Sequence, residues 1–329
     1  MSVNLKDILN NQNVAVAFKS LPALKTSIID NAFPIAKNYP KAVIGIADIR
    51  KHTGAIPVVR RGSNPISIND SNIDASFYAP LPIMPSISIT AAELNDLNAV
   101  LGDKASRDAW IADQVDTLRR IVRNTTEAIA SIVLTTGKYS WSVKTENGTE
   151  TFEIDFGETL KYSETKITEE TKVSDIFDIV DKMAENIQSE GYGETVKFFA
   201  GKEVYGKFLN LAEKWASSES SRSPINIQLS GNVINIGGYE IIRMTEKYYN
   251  PVTQEMTAKI NPKQLVGFAS VSDAGIYYCA IDSISNNNKA VPFHIYTEQK
   301  GDRAIELMAQ SKPVPVRPSK SICVATLID

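Results

Sequence analysis

Two histidines and two cysteines are the residues of this 329-residue sequence most able to do chemistry. His52 and His294 could act as general bases or as metal ligands, but neither has a nucleophile nearby in the sequence. His294 lies in a strand-like run between Phe293 and Ile295. A zinc site would need closely spaced Cys and His pairs, and the sequence has none. We therefore interpret both histidines as structural.

The cysteines and the closest carboxylates also have ordinary explanations. Cys279 and Cys323 lie in the apolar runs "IYYCAI" and "SICVATLI", which favours buried thiols over a disulfide. Asp175, Asp178 and Asp181 recur every three residues, a spacing that puts them on the solvent-facing side of an amphipathic helix. Carboxylates are expected there without a metal. The sequence therefore predicts no cofactor and no metal site.

Phosphate-binding and nucleophile motifs are incomplete. Gly137-Lys138 and Gly201-Lys202 lack the upstream glycine and the following Ser or Thr of a phosphate loop. A dinucleotide fingerprint begins at Gly191-Tyr192-Gly193, but Val196 occupies the position of its third glycine. No G-x-S-x-G motif occurs. These gaps favour a structural protein over an enzyme, with a site of scattered carboxylates as the enzymatic alternative.

Composition and charge narrow the class further. Hydrophobic residues make up 43% and charged residues 22%, as in ordinary globular proteins, and no apolar run reaches the ~20 residues of a membrane span. The N-terminus lacks the pattern of a secretion signal, so we expect a cytoplasmic site of synthesis and no membrane partner. Residues 1–61 carry nine basic and three acidic residues, and residues 150–190 carry twelve acidic and four basic ones. A charged segment of this kind either faces solvent, contacts another copy of the chain, or contacts a polyanion.

Residues 103–136 form the longest periodic element. Their apolar stripe predicts one helix, which at 1.5 Å per residue would be ~50 Å long. Because this length exceeds the width of a compact core, the helix should lie along the outside of an elongated structure. The stripe consists of Ile111, Val115, Leu118, Val122, Thr125, Ile129 and Ile132, and the predicted polar side includes Arg119, Arg123 and Glu127.

A hairpin should follow this helix, because Asn147-Gly148 favours a type I′ turn. Folding the chain about this dipeptide predicts the pairs Val143–Phe152, Trp141–Ile154 and Tyr139–Phe156. Downstream, periodicity predicts a helix over 173–190, a buried strand over 195–200 and a helix over 202–215. Several strands follow, up to a last buried strand in "SICVATLI". This order indicates a mixed α+β fold.

The stretch "RRGSNPISINDSNIDASFYAPLPIMPSISIT" (60–90) is rich in β-branched and aromatic residues, yet four prolines keep it from being a central strand. It has no helical period. In a monomer, such an extended and half-apolar segment would be an aggregation hazard. We therefore expect another copy of the chain to complete it.

The order of these elements along the chain resembles that of the major capsid proteins of tailed bacteriophages. The resemblance is specifically to the family of the phage lambda major head protein (capsid protein E), which has the HK97-type fold. The resemblance covers most of the chain. It is carried by "RRGSNPISI" with "APLPIMPSISITAAELND", "IVRNTTEAIASIVLTTGKYSWSV" with "FEIDFGE", "VSDIFDIVDKMAENI…GKEVYGKF", "QLVGFASVSDAGIYYC" and "RAIELMAQSKPVPVRPSKSICVATLI".

The resemblance implies that different segments of the chain form different parts of the subunit. Residues 1–41 would be an N-terminal arm and residues 42–98 an extended β loop that reaches over a neighbouring subunit. Residues 99–165 and 290–315 would form a peripheral domain with the long helix as its spine. Residues 166–289 and 316–329 would form an axial α/β domain at the capsomer centre.

The resemblance implies a self-assembling shell protein without catalysis, in hexamers and pentamers of an icosahedral virion around DNA, assembled in the host cytoplasm. Scaffold, portal and decoration proteins are further possible partners, and the packaged DNA would be contacted nonspecifically. The alternative is the shell of an encapsulin-like cellular compartment, which has the same fold and encloses cargo enzymes.

Four residues are candidates for assembly contacts. Arg60 and Arg61, at the predicted loop base, could pair with the acidic 150–190 region of a neighbour. Phe77 and Tyr78, placed at the loop tip, could anchor it because large aromatics carry interface energy. No lysine occurs from 52 to 103, which argues against the covalent cross-link through a loop lysine that some relatives of the fold use.

Overall fold

The computed structural model describes residues 9–45, 77–93, 96, 104–146, 148–168, 170–193, 195–216, 227–271, 273–301 and 303–329. The α-helices among these residues all precede Ile227, and the described residues after that point are rich in strands. The helices are α1 (Asn11–Ser20), α2 (Ser27–Ala32), α3 (Lys104–Thr136), α4 (Val173–Ser189) and α5 (Lys202–Ala216). The first strands are β1 (Ile35–Tyr39), β2 (Ile44–Gly45), β3 (Phe77–Tyr78), β4 (Ser86–Thr90), β5 (Lys138–Thr145), β6 (Gly148–Asp155), β7 (Leu160–Tyr162) and β8 (Val196–Gly201). The later strands are β9 (Ile227–Ser230), β10 (Val233–Ile236), β11 (Tyr239–Met244), β12 (Lys247–Asn250), β13 (Glu255–Ala258), β14 (Gln264–Ala269), β15 (Gly275–Cys279), β16 (His294–Lys300), β17 (Ala304–Gln310), β18 (Pro313–Val316) and β19 (Ile322–Thr326).

A seven-stranded mixed sheet forms the larger α/β layer, in the order β7-β19-β14-β8-β11-β10-β9. Helices α4 and α5 pack on it through apolar side chains that include Val180, Met183 and Phe208, all fully buried. The last strand, β19, lies inside the sheet between β7 and β14. The helices and strands predicted between 173 and 215 are confirmed to within a few residues.

The long helix α3 is confirmed over Lys104–Thr136, 33 residues. Its buried stripe runs through Ile111, Val115, Leu118 and Val122 as predicted, but continues through Thr126 rather than Thr125. The helix ends where Gly137 adopts a φ of +74°, a left-handed conformation that glycine tolerates better than other residues.

The hairpin after the helix is confirmed, but its predicted register is wrong by two residues. Tyr139 pairs with Ile154 and Trp141 with Phe152, and the last rung joins Thr145 to Gly148. The turn therefore precedes Gly148 instead of being centred on Asn147-Gly148. A shift of two preserves the face of every side chain, which is why Tyr139 and Ile154 are still buried.

The N-terminal segment is part of the fold from Leu9 onward. Strand β1 runs parallel to β15, which also pairs with β18. The rung Ile35↔Gly275 brings the two backbones close: a Cβ on Gly275 would lie 2.3 Å from the Ile35 carbonyl oxygen. Glycine is thus required where the arm joins the core.

Arg317 is a buried residue that connects the N-terminal segment to the core. It is 2% exposed, and its guanidinium donates hydrogen bonds to the carbonyl oxygens of Ala32 and Ala269. The rings of Phe33 and Phe268 lie 6.0 and 5.4 Å from its guanidinium carbon. Burial lowers its pKa to about 9, so the group is charged at neutral pH.

The proline-rich stretch pairs within its own chain at its C-terminal end. Strand β4 is the edge strand of a three-stranded sheet in the order β16-β17-β4, with Ile89 buried against Leu307 and the long helix. The edge position agrees with the prediction from the prolines. The expectation that residues 60–90 find their partner only in another copy is wrong for residues 77–78, which pair with β2, and for residues 86–90.

Candidate assembly surfaces

The sequence candidates for catalysis are spread through the fold. His294 is half-buried, with Nε2 3.4 Å from the Ser283 hydroxyl oxygen and the ring stacked on Tyr296, and burial lowers its pKa. His52 lies outside the described residues. Cys279 and Cys323 are buried thiols, as predicted, and burial raises their pKa values to about 11 and about 12. Neither thiol is poised to act as a nucleophile.

The aspartates of α4 hold the fold together. The Asp175 carboxylate accepts a hydrogen bond from the Lys172 backbone N–H at 2.8 Å, which caps the helix. Asp181 accepts one from the Tyr239 hydroxyl at 2.7 Å. No group of three His, Cys, Asp or Glu residues in the described ranges could hold a metal ion.

A polar row on α3 binds the N-terminal arm. Arg119, Arg123 and Glu127 recur every four residues, so they lie on one face of the helix. Arg119 donates to the Pro22 carbonyl oxygen at 2.7 Å, and Arg123 donates to the Asp30 carboxylate at 2.8 Å. We expected these side chains on a solvent-facing side, but they fasten the arm to the helix instead.

Glu127 is the buried end of this row. It is 1% exposed, and its two carboxylate oxygens accept hydrogen bonds from the backbone N–H groups of Ile28 and Ile29 at 2.7 and 2.9 Å. The Lys259 ammonium lies 3.0 Å away and also binds Glu246. The carboxylate thus accepts hydrogen bonds from two N–H groups in the first turn of α2, and it also balances the charge of a largely buried lysine. The prediction that Glu127 faces away from the buried side of α3 was therefore wrong.

Replacing Glu127 by Gln should release the arm from the long helix. We expect a loss of about 2 kcal/mol in the free energy of unfolding, because Lys259 loses its buried counter-ion and the amide accepts fewer hydrogen bonds. Trypsin should then cleave faster at Lys25, and denaturant unfolding should measure the loss. Glu158→Gln, an exposed substitution, is the matched control. Equal stability and equal cleavage for the two variants would contradict the assigned role.

The base of the extended loop is a short antiparallel ladder. Gly45 pairs with Phe77 and Ile44 with Tyr78, so residues 46–76 leave and re-enter the described fold at one place. Phe77 is 66% exposed, whereas Tyr78 is half-buried. Both lie at the base of the loop, so their predicted position at its tip is wrong. Their role in assembly stays a prediction, and Arg60 and Arg61 lie outside the described residues.

A groove of about 1340 Å³ runs along α3. Its walls are α3, the β5–β6 hairpin, the β12–β13 hairpin and the turn that precedes β4. A smaller cavity of about 410 Å³ continues it along the helix, sharing Tyr248 and Lys259. The sequence analysis missed this groove, because its walls come from four separate segments. Its apolar lining includes Met84, Ile121, Thr125, Ala128, Tyr249 and Met256.

Comparison with known protein families gives a match over almost the whole chain. Residues 11–326 match the family described as phage major capsid protein E. The chain belongs to the phage major capsid protein E family. A major capsid protein of this family builds the shell of a phage head, and this is the function of the chain.

One solved structure supports the HK97-type capsid fold for this chain. The chain is similar to a prophage capsid protein of Escherichia coli CFT073, with 16% identity, a TM-score of 0.57 and coverage of 97% of this chain and 99% of that one. Weaker likenesses, too low to carry an argument, include a phage-related protein of Bordetella bronchiseptica RB50 (11% identity, TM-score 0.49, 96% of each chain). Another is an encapsulin of Synechococcus elongatus PCC 7942 (8% identity, TM-score 0.41, 96% of this chain and 95% of that one).

The α+β prediction is thereby confirmed. No curated protein matches this capsid protein in sequence. None of the helices in the described part of the capsid protein has the length and apolar character needed to cross a membrane.

Proposed function

We propose that this chain forms the hexamers and pentamers of an icosahedral phage head that encloses DNA. The match to the capsid family over residues 11–326 carries the proposal. The proposed site is the virion, with assembly in the host cytoplasm. The chain acts as a structural protein without catalysis. Scaffold, portal and decoration proteins are proposed partners, and DNA is contacted nonspecifically.

The buried clusters support a division into two structural regions. Apolar side chains of α4, α5 and the seven-stranded sheet form one cluster, the proposed axial domain. Those of α1, the first half of α3 and the β16-β17-β4 sheet form another, the proposed peripheral domain. Because β7 pairs with β19 in the seven-stranded sheet, we place the division before Leu160. A third cluster, which includes Ile129, Phe199 and Ile276, joins the two.

The loop is the proposed link between subunits. Its base is paired, and Phe77 is a large aromatic side chain that is 66% exposed there. We assign Phe77 and Tyr78 to an interface at this base and Arg60 and Arg61 to contacts with acidic side chains of a neighbour.

The purified chain should form closed particles far larger than a monomer, visible by electron microscopy and light scattering. Particles filled during phage growth should contain DNA, whereas an encapsulin-like compartment would contain a cargo protein. Recovery of monomers alone under every assembly condition, including in the presence of a scaffold, would overturn the proposal.

A further inference from the structure

We propose that the loop between β15 and β16 presents Ile284 as an anchor to the acidic 150–190 region of a second copy of this chain. This inference rests on the proposed function, because it adds a contact between subunits that build one shell. It is carried by the exposure of Ile284, by the hydrogen bonds that fix the loop around it, and by the charges at the base of the loop.

Ile284 is the large hydrophobic side chain with the greatest exposure among the described residues. It is 95% exposed, compared with 66% for Phe77 and 63% for Val16, the next two. A single exposed hydrophobic side chain is common on a protein surface and needs no explanation by itself. The order of its loop and the charges beside it distinguish Ile284 from the others.

The polar side chains of the loop hold its own backbone. The Asn288 side-chain oxygen accepts a hydrogen bond from the Ser283 backbone N–H at 3.0 Å, and the Asn288 backbone N–H donates to the Ser283 carbonyl oxygen at 3.0 Å. The Asn286 amide donates to the Lys289 carbonyl oxygen at 3.1 Å. These polar groups bond within the loop, while its one large apolar side chain, Ile284, faces solvent.

The loop is also fastened to the core. Its first residue, Asp282, forms a 2.6 Å ion pair with the Lys312 ammonium, and the Lys312 side chain is 5% exposed. Asn287 and Asn288 hold left-handed backbone conformations, with φ of 51° and 52°, which asparagine adopts more readily than most residues. A loop that is already ordered loses little conformational entropy on binding, so burial of its apolar side chain contributes more fully to a contact.

Two exposed lysines, Lys41 and Lys289, lie at the base of the loop. Their backbone carbonyl oxygens accept hydrogen bonds, at 3.1 and 3.4 Å, from the N–H groups of the two residues that follow β15. The backbone therefore places both lysines beside the point where the loop leaves the strand. Because Asp282 is paired with Lys312, these two lysines give the base of the loop a positive charge.

A complementary surface lies on the chain itself. Residues 150–190 carry twelve acidic and four basic residues, and the exposed carboxylates there include Glu150, Asp178 and Glu185. An apolar anchor on a positive base and an acidic surface on the same chain favour a contact between two copies, since each copy offers both halves. A head-to-tail contact of this kind closes into a ring when the rotation between copies fits.

Substitution at the tip of the loop gives the first test. Ile284→Asp should lower the yield of particles at least ~10-fold, because it removes the anchor and adds a charge that acidic side chains repel. The unassembled variant should unfold at the same urea concentration as the unchanged chain, since the side chain is exposed. The matched control is Val16→Asp on α1, which should assemble normally.

Zero-length cross-linking identifies the partner surface. Equal amounts of chain labelled with light and heavy nitrogen are co-assembled, and a carbodiimide then joins amines to carboxylates that lie in contact. Mass spectrometry should find peptides that link Lys41 or Lys289 to an acidic residue of 150–190, with a different isotope on each side. Lys41→Gln combined with Lys289→Gln should remove these peptides.

The outcomes separate this inference from the proposed function. A normal yield of particles from the Ile284→Asp chain would overturn the anchor and leave the proposed function intact. A loss of folding stability in that variant would show that Ile284 packs within its own chain, which also overturns the inference. Particles without mixed-isotope links, or with links only to acids outside 150–190, would overturn the partner surface. An unchanged chain that forms no particles at all would count against the proposed function itself.

Discussion

Joining Gly45 to Phe77 through an Asn-Gly turn, in place of residues 46–76, should give a folded chain that no longer forms particles. The two ends are already paired as antiparallel strands, so a two-residue hairpin turn can close them. The deletion removes the segment that we assign to the neighbouring subunit. Electron microscopy and light scattering should therefore find only small species, while circular dichroism and the thermal transition stay close to those of the unassembled full chain.

A full-length control separates the loss of contacts from the loss of chain. Arg60→Glu combined with Arg61→Glu keeps the length of the loop and reverses its central charge. We expect impaired assembly that improves at high salt, because screening weakens the new repulsion from acidic side chains. Normal particles from the deletion variant would refute the role of the loop. Unaltered assembly of the charge-reversed chain would refute only the role of the two arginines.

Replacing Arg317 by Ala should be among the most destabilising single changes in the described core. We expect a loss of about 4 kcal/mol in the free energy of unfolding. The change leaves a cavity between Phe33 and Phe268 and strips the carbonyl groups of Ala32 and Ala269 of their donor. Urea unfolding of the unassembled chain measures it, with Arg303→Ala, at an exposed arginine, as the control.

Two further substitutions resolve what Arg317 contributes. Arg317→Lys keeps the charge, but an ammonium cannot donate to both carbonyl groups in the geometry of the planar guanidinium. Arg317→Met keeps most of the volume and removes the cost of burying a charge, but it leaves both carbonyl groups unpaired. We expect about half of the alanine effect from each. A methionine variant as stable as the unchanged chain would show that packing, not hydrogen bonding, is what Arg317 supplies.

Periodicity predicted the local elements well. The long helix, α4 and α5 follow from apolar spacing, the hairpin after α3 follows from the Asn147-Gly148 turn signal, and each element is present. The register of the hairpin was wrong because Asn147-Gly148 was assigned to the centre of the turn, whereas Gly148 makes the last rung. Pairing two residues earlier or later buries the same side chains, so hydrophobic alternation alone cannot distinguish the two registers.

The long-range polar contacts could not be predicted from the sequence. Arg119, Arg123 and Glu127 have the charge expected of a solvent-facing stripe, and only the position of the arm shows that they are partly or fully covered. Their spacing of four was a usable signal, since it aligns them on one face. Nothing local marks Arg317, because its two acceptors lie 285 and 48 residues away in the sequence.

The position of β19 inside the large sheet also bears on the order in which that sheet forms. Its residue Cys323 pairs with both Leu160 and Gly267. Until β19 is in place, β7 and β14 each present an unpaired edge to the other. Contacts between residues far apart in the sequence form slowly, so we expect this part of the sheet to close late in folding. The strand that joins the two edges thus decides when the whole sheet becomes continuous.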